Sequence, residues 1–320
     1  MEEPKAASYR ADAHDATNEE AEARKALLIS DMVSEGRLVA NGLAAPRYPV
    51  FIVGSPRSGT SILVDALLTV GYRGFREGNF LSLLFNINRE IDNHYSIFSD
   101  GNEKVMTNRI SKDIFKGKIF RCFYDVVSEH NSMPPWFDKT GNPEMISCIP
   151  ILRSLWPDAI FIFAKRRAIE NVTSRLKKFP AHSFEHHCID WARNMATWRS
   201  VRSQLPAAAF IEIDQQQIIQ CPDEAALSLN AFLSVDTSKN DDLIKVFQIN
   251  RPQQTADGSA ARVISLESTG WSDQQKSVFL QHCKAEMEAF GYSMGNDYSG
   301  SNEPLKPSES VRRDGDLDGD

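Results

Sequence analysis

The chain has 320 residues, of which 42% are hydrophobic, so it can bury one large α/β core or two modest domains. Its formal net charge of −7 comes from its ends, because residues 1–25 and 296–320 carry −3 and −4 while the stretch between them has 29 acidic and 29 basic side chains. Without a strongly basic region, the composition does not favour DNA or RNA as a partner.

The cysteines indicate a reducing compartment. They are five in number, widely spaced and never in a C-x-x-C pair: Cys122, Cys148, Cys188, Cys221 and Cys283. We interpret them as reduced thiols. The first residues lack the charged and apolar regions of a secretory signal, and no run approaches the roughly 18 apolar residues of a membrane span. We therefore expect a cytoplasmic protein with no membrane span.

Predicted strands alternate with predicted helices along most of the chain. In order, the patterns predict a helix over 18–37, a strand over 50–53, a helix over 61–68, a helical region rich in aromatic residues over 71–130, a helix over 144–155, a strand over 159–164, helices from there to about 178 and over 184–204, a strand over 210–213, and helices over 224–233 and 273–290. Continuous apolar strands between helices are typical of a buried parallel sheet. The expected fold is α/β, with helices on both faces and the ligand at the carboxyl ends of the strands.

We expect one folded domain over 45–292, preceded by a helical or flexible extension over 1–44 and followed by a disordered acidic tail over 293–320. The helix over 18–37 would pack on this domain or on a second copy of the chain, which leaves a homo-oligomer open. The polar stretch 251–268 is too long for a simple connection between two elements. Loops of this length are usually lids or disordered segments.

The first motif follows the strand over 50–53. Residues 54–61 read GSPRSGTS, and Gly54 and Gly59 keep the spacing of the phosphate loop G-x-x-x-x-G-K-[ST]. Thr60 stands where that loop has the lysine that reaches the terminal phosphates, and Arg57 adds a cation inside the loop. This combination favours an anionic nucleotide other than a magnesium triphosphate.

The second motif follows the strand over 159–164. Residues 165–178 contain six basic side chains and one acidic one, with Arg166 at the start and the hydroxyl of Ser174 eight residues later. An arginine can bind two oxygens of one phosphate. A triphosphatase would place an aspartate at the strand end to orient Mg²⁺, where this chain has Lys165. Two phosphate-binding motifs without an obvious Mg²⁺ ligand indicate a nucleotide with phosphates at two ends.

With these motifs, the chain resembles the sulfotransferases that use 3′-phosphoadenosine 5′-phosphosulfate (PAPS), and is closer to their carbohydrate and bacterial members than to cytosolic aryl sulfotransferases. Residues 54–61 are similar to the 5′-phosphosulfate loop of that family, and Arg166 and Ser174 match its 3′-phosphate motif. Residues 136–140, WFDKT, resemble its Lys-Thr element, and residues 155–159, LWPDA, resemble its run into the strand. The resemblance covers about residues 45–292.

The resemblance implies a single P-loop NTPase-like domain that moves a sulfuryl group from PAPS to an acceptor hydroxyl, leaves 3′-phosphoadenosine 5′-phosphate (PAP) and needs no metal. The implied ligands of the 5′-phosphosulfate are Arg57, Ser58, Gly59, Thr60 and Ser61, and those of the 3′-phosphate are Arg166 and Ser174. Backbone N–H groups at a helix start, together with Arg57 and Lys139, would stabilise the charge that develops during transfer.

Glu77 is the implied base, although the Glu-Pro common in the family is Glu77-Gly78 here. Other relatives use a histidine, for which His94 and His130 are the nearby candidates. The R-K-G-x-x-G element of cytosolic relatives is missing, and we assign its role to Arg251.

Two other functions remain open from the sequence. A P-loop kinase of a small alcohol is disfavoured by Thr60, and a binding protein could keep the nucleotide site without catalysis. The acceptor is a small molecule or a carbohydrate: residues 73–138 carry 9 basic and 9 acidic side chains, which disfavours a densely sulfated polyanion, and their aromatic residues suit a sugar or a small apolar alcohol.

Overall fold

A computed structural model of the chain describes residues 47–131, 134–249 and 263–300. These residues contain one sheet with five strands: β1 (Val50–Val53), β2 (Arg73–Phe75), β3 (Trp136–Lys139), β4 (Ile160–Lys165) and β5 (Phe210–Asp214). All neighbouring strands are parallel, in the order β2-β3-β1-β4-β5. The predicted α/β fold with a central parallel sheet is confirmed. The helix predicted over 18–37, the extension over 1–44 and residues 301–320 of the predicted tail lie outside the described residues.

The helices of the described residues are α1 (Thr60–Thr69), α2 (Leu83–Phe98), α3 (Met106–Arg109), α4 (Lys112–His130), α5 (Pro143–Ser147), α6 (Ile149–Leu155), α7 (Ala168–Lys178), α8 (Phe184–Arg202), α9 (Gln215–Gln220), α10 (Pro222–Leu233), α11 (Asn240–Ile249) and α12 (Asp273–Ala289). The single helix predicted over 144–155 is two helices, because Pro150 has no N–H to donate within a continuous helix and instead lies in the first turn of α6. In the described part of the chain none of these helices is both long and apolar enough to cross a bilayer.

The sheet separates two hydrophobic cores. In β1, Phe51 and Val53 face one core, and Val50 and Ile52 face the other, all of them fully buried. Because helices cover both faces, the central strands are continuous apolar runs rather than alternating ones. The Phe51 ring stacks on Phe161 of β4, with 5.5 Å between the ring centroids.

The interior of the sheet becomes polar at its carboxyl edge. Lys139, the last residue of β3, is aligned with Ile52 of β1, and the backbone N–H of Thr140 donates to the Ile52 carbonyl at 3.1 Å. Asp138 and Lys139 are 4% and 6% exposed. Buried charged side chains at the end of a central strand are costly unless they have partners or a function, so this edge is where a site is expected.

The folded domain extends further than predicted at its carboxyl end. The fully buried Arg167 donates hydrogen bonds of 3.0–3.1 Å to the carbonyls of Ser293, Gly295 and Asp297. The Tyr298 hydroxyl also accepts from the Arg167 backbone N–H at 3.0 Å. Residues 293–300, which the composition assigns to the acidic tail, are therefore packed against the end of β4.

Candidate functional site

The phosphate loop passes close to the neighbouring strand β4. Gly54 has φ 133°, and a Cβ at this position would lie 2.2 Å from the Ala164 carbonyl oxygen, so only glycine fits. Arg57 also has a positive φ, 73°, and Gly59 precedes α1 with φ 90°. Because Gly59 has no side chain to cap the helix, the N–H groups of the first turn of α1 are left for another acceptor.

Thr60 and Ser61, which the resemblance assigns to the 5′-phosphosulfate, lie in the first turn of α1. Thr60 is its first residue and is 7% exposed, while Ser61 is partly exposed on the same turn. The Ser58 side chain is 1% exposed and accepts a hydrogen bond from Asn171 Nδ2 at 3.0 Å. The loop before α1 is therefore tied to α7.

The two predicted phosphate motifs are in direct contact. Arg57 Nε donates to Ser174 Oγ at 3.0 Å, and Arg166 Nη1 donates to the Arg57 carbonyl at 3.0 Å. Arg166 and Ser174 are 8% and 9% exposed. Burial lowers the pKa of the Arg57 and Arg166 guanidinium groups, which means that water solvates these cations poorly. A bound phosphate would compensate both charges.

Two residues that the sequence did not reveal fix the loop from α7. Asn171 Nδ2 donates to the Pro56 carbonyl as well as to Ser58, and Arg175 Nη1 donates to Ser55 Oγ, each at 3.0 Å. Arg175 is held in turn by Asp190, at 2.6 Å. Asn171 and Arg175 lie four residues apart on one face of α7, and this helical spacing was the available signal.

Lys139 and Glu77 are also brought together. Lys139 Nζ forms an ion pair with Glu77 Oε1, and the Gly78 backbone N–H donates to the Lys139 carbonyl at 2.9 Å. The Lys139 side chain is 8% exposed and that of Glu77 is 65% exposed. A buried ammonium is thus presented next to a carboxylate that solvent or a substrate can reach.

The structure explains why Gly78 replaces proline. A Cβ at this position would lie 1.7 Å from Asp138 Oδ2, so the carboxyl group packs directly against the glycine backbone. A proline would introduce this clash and would also remove the N–H that binds Lys139. Burial raises the pKa of Asp138 from 3.8 to about 6, and Thr140 Oγ1 donates to Asp138 Oδ1 at 2.9 Å.

A cavity of about 230 Å³ lies beside Asp138, which forms part of its wall. Gly78 and Asp138, the sequence neighbours of Glu77 and Lys139, both line it. His130, one of the two alternative bases, also lines the cavity. The other, His94, is not among the lining residues and packs on Phe98 with 4.7 Å between the ring centroids. Arg251 lies outside the described residues.

Comparison with known protein families gives one match over more than half of the chain. The model of a family described as the sulfotransferase family matches residues 49–239, more than half of the chain. A search of curated proteins finds no match.

Similar solved structures include the sulfotransferase domain of the Synechococcus PCC 7002 olefin synthase, at 15% identity and a TM-score of 0.45 over 81% of this chain and 99% of that one. Sulfotransferase STF9 from Mycobacterium avium is 14% identical, with a TM-score of 0.44 over 76% of this chain and 77% of that one. Mouse sulfotransferase SULT7A1, solved with PAP, is 12% identical, with a TM-score of 0.44 over 77% of this chain and 85% of that one. On the match of the family model, this chain belongs to the sulfotransferase family.

Proposed function

We propose that the chain transfers a sulfuryl group from PAPS to the hydroxyl of an acceptor and releases PAP. The observation that supports this best is the hydrogen bond of 3.0 Å between Arg57 in the phosphate loop and Ser174 on α7. It joins a helix N-terminus suited to one phosphate with a second cationic position suited to another. A nucleotide phosphorylated at both its 5′ and 3′ ends needs such a pair of positions.

The chemistry of these side chains fits that nucleotide. Arg57 and Arg166 are adjacent cations whose pKa values are lowered by burial, and their desolvation would be offset by phosphate oxygens. The hydroxyls of Ser174 and Thr60 add neutral donors to the same region. We assign the 5′-phosphosulfate to residues 57–61 and the 3′-phosphate to Arg166 and Ser174, and Arg251 remains a proposed further contact.

When bound, the nucleotide supplies a sulfuryl group that is already attached to a phosphate leaving group. In the transfer, a bond forms between the acceptor oxygen and sulfur while the bond from sulfur to the phosphate oxygen breaks, and the proton of the acceptor passes to Glu77. The first-turn N–H groups of α1, Arg57 and Lys139 would stabilise the negative charge that grows on the departing oxygen.

The ion pair suits Glu77 for the role of base. Lys139 contacts only Oε1 of the carboxylate among the described contacts, so Oε2 can take the proton from the acceptor. The ammonium also orients the carboxylate before the acceptor arrives. Lys139 would therefore connect the base with the leaving group.

Calorimetric titration with PAP, beside magnesium-ATP and AMP, tests the proposal. We expect PAP to bind at least about 100-fold more tightly than AMP, which lacks the 3′-phosphate, a difference of about 2.7 kcal/mol. A preference for magnesium-ATP would overturn the proposal in favour of a kinase. Binding of PAP without transfer from PAPS to any hydroxyl acceptor would identify a binding protein instead.

A further inference from the structure

The cavity beside the proposed catalytic pair is built mostly from hydrocarbon. Its walls include six apolar side chains: Phe75, Phe80, Leu81, Val126, Val127 and Trp136. They come from β2 and the loop after it, from α4 and from β3, three segments that converge next to Glu77 and Lys139. Glu77 and Lys139 do not line the cavity themselves, but their sequence neighbours Gly78 and Asp138 do, so the cavity lies next to the proposed catalytic pair.

The entrance to this cavity is apolar as well. Phe75, Phe80 and Val126 are 48%, 45% and 43% exposed although they are large hydrophobic residues. The Phe80 ring is held against Phe123 of α4, with 5.2 Å between the ring centroids. Exposed apolar side chains around the mouth of a cavity are typical of a ligand-binding site, where the ligand covers them.

The polar side chains in the walls are few, and each already has one hydrogen-bond partner. His130 Nδ1 lies 2.9 Å from the Val126 carbonyl, and Asn131 Nδ2 donates to the Val127 carbonyl at 3.0 Å. Asp138 accepts from Thr140 through one of its two carboxyl oxygens. A sugar has hydroxyl groups on every side, and each one that is buried without a partner costs about 1–3 kcal/mol.

The volume limits the size of the ligand. At about 230 Å³ the cavity lies below the roughly 300–1,000 Å³ of sites that hold drug-sized molecules. One ring with small substituents is the appropriate scale for such a space.

We propose that this cavity binds the acceptor, and that the acceptor is a phenol or alcohol whose body is about one apolar ring in size rather than a sugar. The inference rests on the proposed function, since it assumes that the compound in the cavity receives the sulfuryl group. The apolar body would fill the space between β3 and α4, with its hydroxyl toward Glu77.

Saturation-transfer NMR on the full chain with PAP bound tests this inference. The probes are 4-methylphenol, cyclohexanol and methyl β-D-glucoside at equal concentration. Val126→Trp would narrow the entrance from an exposed position, and Ile114→Trp, 63% exposed on the same helix and not part of the cavity wall, is the matched control. We expect 4-methylphenol or cyclohexanol to bind to the wild type and to Ile114→Trp, and roughly tenfold more weakly to Val126→Trp.

The possible failures can be told apart because PAP binding is measured first. If PAP binds and the glucoside gives the stronger signal, or if Val126→Trp leaves the binding of both ring compounds unchanged, the acceptor inference is wrong and the proposed function stands. If PAP does not bind, calorimetry shows this before any acceptor is added, and both proposals fall together.

Discussion

Arg57 and Ser174 are 117 residues apart in the sequence, and yet Arg57 Nε donates a hydrogen bond of 3.0 Å to Ser174 Oγ. Arg166, eight residues before Ser174, donates to the carbonyl of the same arginine. The loop before α1 and helix α7 are therefore in direct contact, and in the proposed function they form one surface for anions. We expect the two motifs to bind the two ends of one nucleotide side by side.

Arg166→Ala should weaken PAP binding by roughly 2–4 kcal/mol, because a charge-assisted contact with the 3′-phosphate is lost. The binding of AMP, which has no 3′-phosphate, should change much less. Calorimetry of both ligands measures the difference, and Lys177→Ala, an exposed cation on the same helix, is the control. Equal losses for PAP and AMP would mean that Arg166 acts only by supporting the Arg57 backbone.

Lys139→Ala should lower kcat by roughly 10²–10³-fold, the range seen when one donor to a developing negative charge is removed. PAP binding should change little, because the charge that Lys139 meets grows mainly in the transition state. Steady-state kinetics together with calorimetry separate the two effects. A change limited to the Michaelis constant would contradict the assigned role.

Glu77→Gln should lower kcat by about 10²–10⁴-fold through loss of the general base, with PAP binding retained. The side chain is 65% exposed and an amide oxygen can still accept from Lys139 Nζ, so the folded state should lose little stability. Glu90→Gln, exposed on α2, is the control, and His130→Gln tests the rival base that lines the cavity. If His130→Gln abolishes turnover and Glu77→Gln does not, the base is the histidine.

Gly78→Ala should destabilise the protein by about 1–3 kcal/mol, because the added methyl group would overlap the buried Asp138 carboxyl. Gly117→Ala is a matched control for which the expected change in stability has the opposite sign. Its Cβ would meet nothing within 4 Å on α4, and alanine should stabilise a helix there by roughly 0.5–1 kcal/mol. Urea unfolding of the three proteins measures both changes. An unchanged midpoint for Gly78→Ala would show that Asp138 moves aside freely.

The raised pKa of Asp138 predicts a pH-dependent difference in stability. Because burial raises this pKa from 3.8 to about 6, the folded protein binds the proton more tightly than the unfolded chain. This tighter proton binding stabilises the folded protein fully below pH 3.8, and the stabilisation is lost as the pH rises through about 6. Asp138→Asn mimics the protonated form. As the pH rises through this window, the free energy of unfolding of the variant should therefore increase relative to that of the wild type by up to about 1.4 kcal/mol per pH unit. Unfolding between pH 4 and 7 measures the gain, and Asp125→Asn, exposed on α4, is the control.

The sequence predicts best those elements that have one clear pattern, either a run of apolar residues for a strand or helical periodicity for a helix. β1 and β4 are apolar runs, β5 begins with Phe210 and Ile211, and α7, α8 and α12 end within two residues of their predicted limits. β2 has three exposed residues at the edge of the sheet, so nothing in its composition marks it as a strand. β3 was missed for a different reason, since Asp138 and Lys139 interrupt its apolar pattern at the point where the site needs charge.

The candidate site can be proposed from the sequence as two motifs but not as a set of contacts. Arg57, Arg166 and Ser174 stand out by type and spacing, whereas Asn171 and Arg175 look like ordinary polar residues of a helix. Their importance comes from burial against the loop, and burial of a polar side chain depends on which elements pack over it. The same holds for Asp138, whose environment is set by a glycine 60 residues earlier.

The packing of residues 293–300 limits how far the protein can be shortened at its carboxyl end. Tyr298 donates to the wholly buried carboxyl of Asp214 at 2.7 Å, and the carbonyls around it satisfy Arg167. A chain that stopped before Ser293 would remove these carbonyls and the tyrosine hydroxyl, a loss of about 1.5–3 kcal/mol for each hydrogen bond to a charged group. Gln215, the residue after Asp214, lies against Gly59, so the damage would reach the phosphate loop. A truncation chosen by the acidic composition of the tail would thus cut into the interior of the protein.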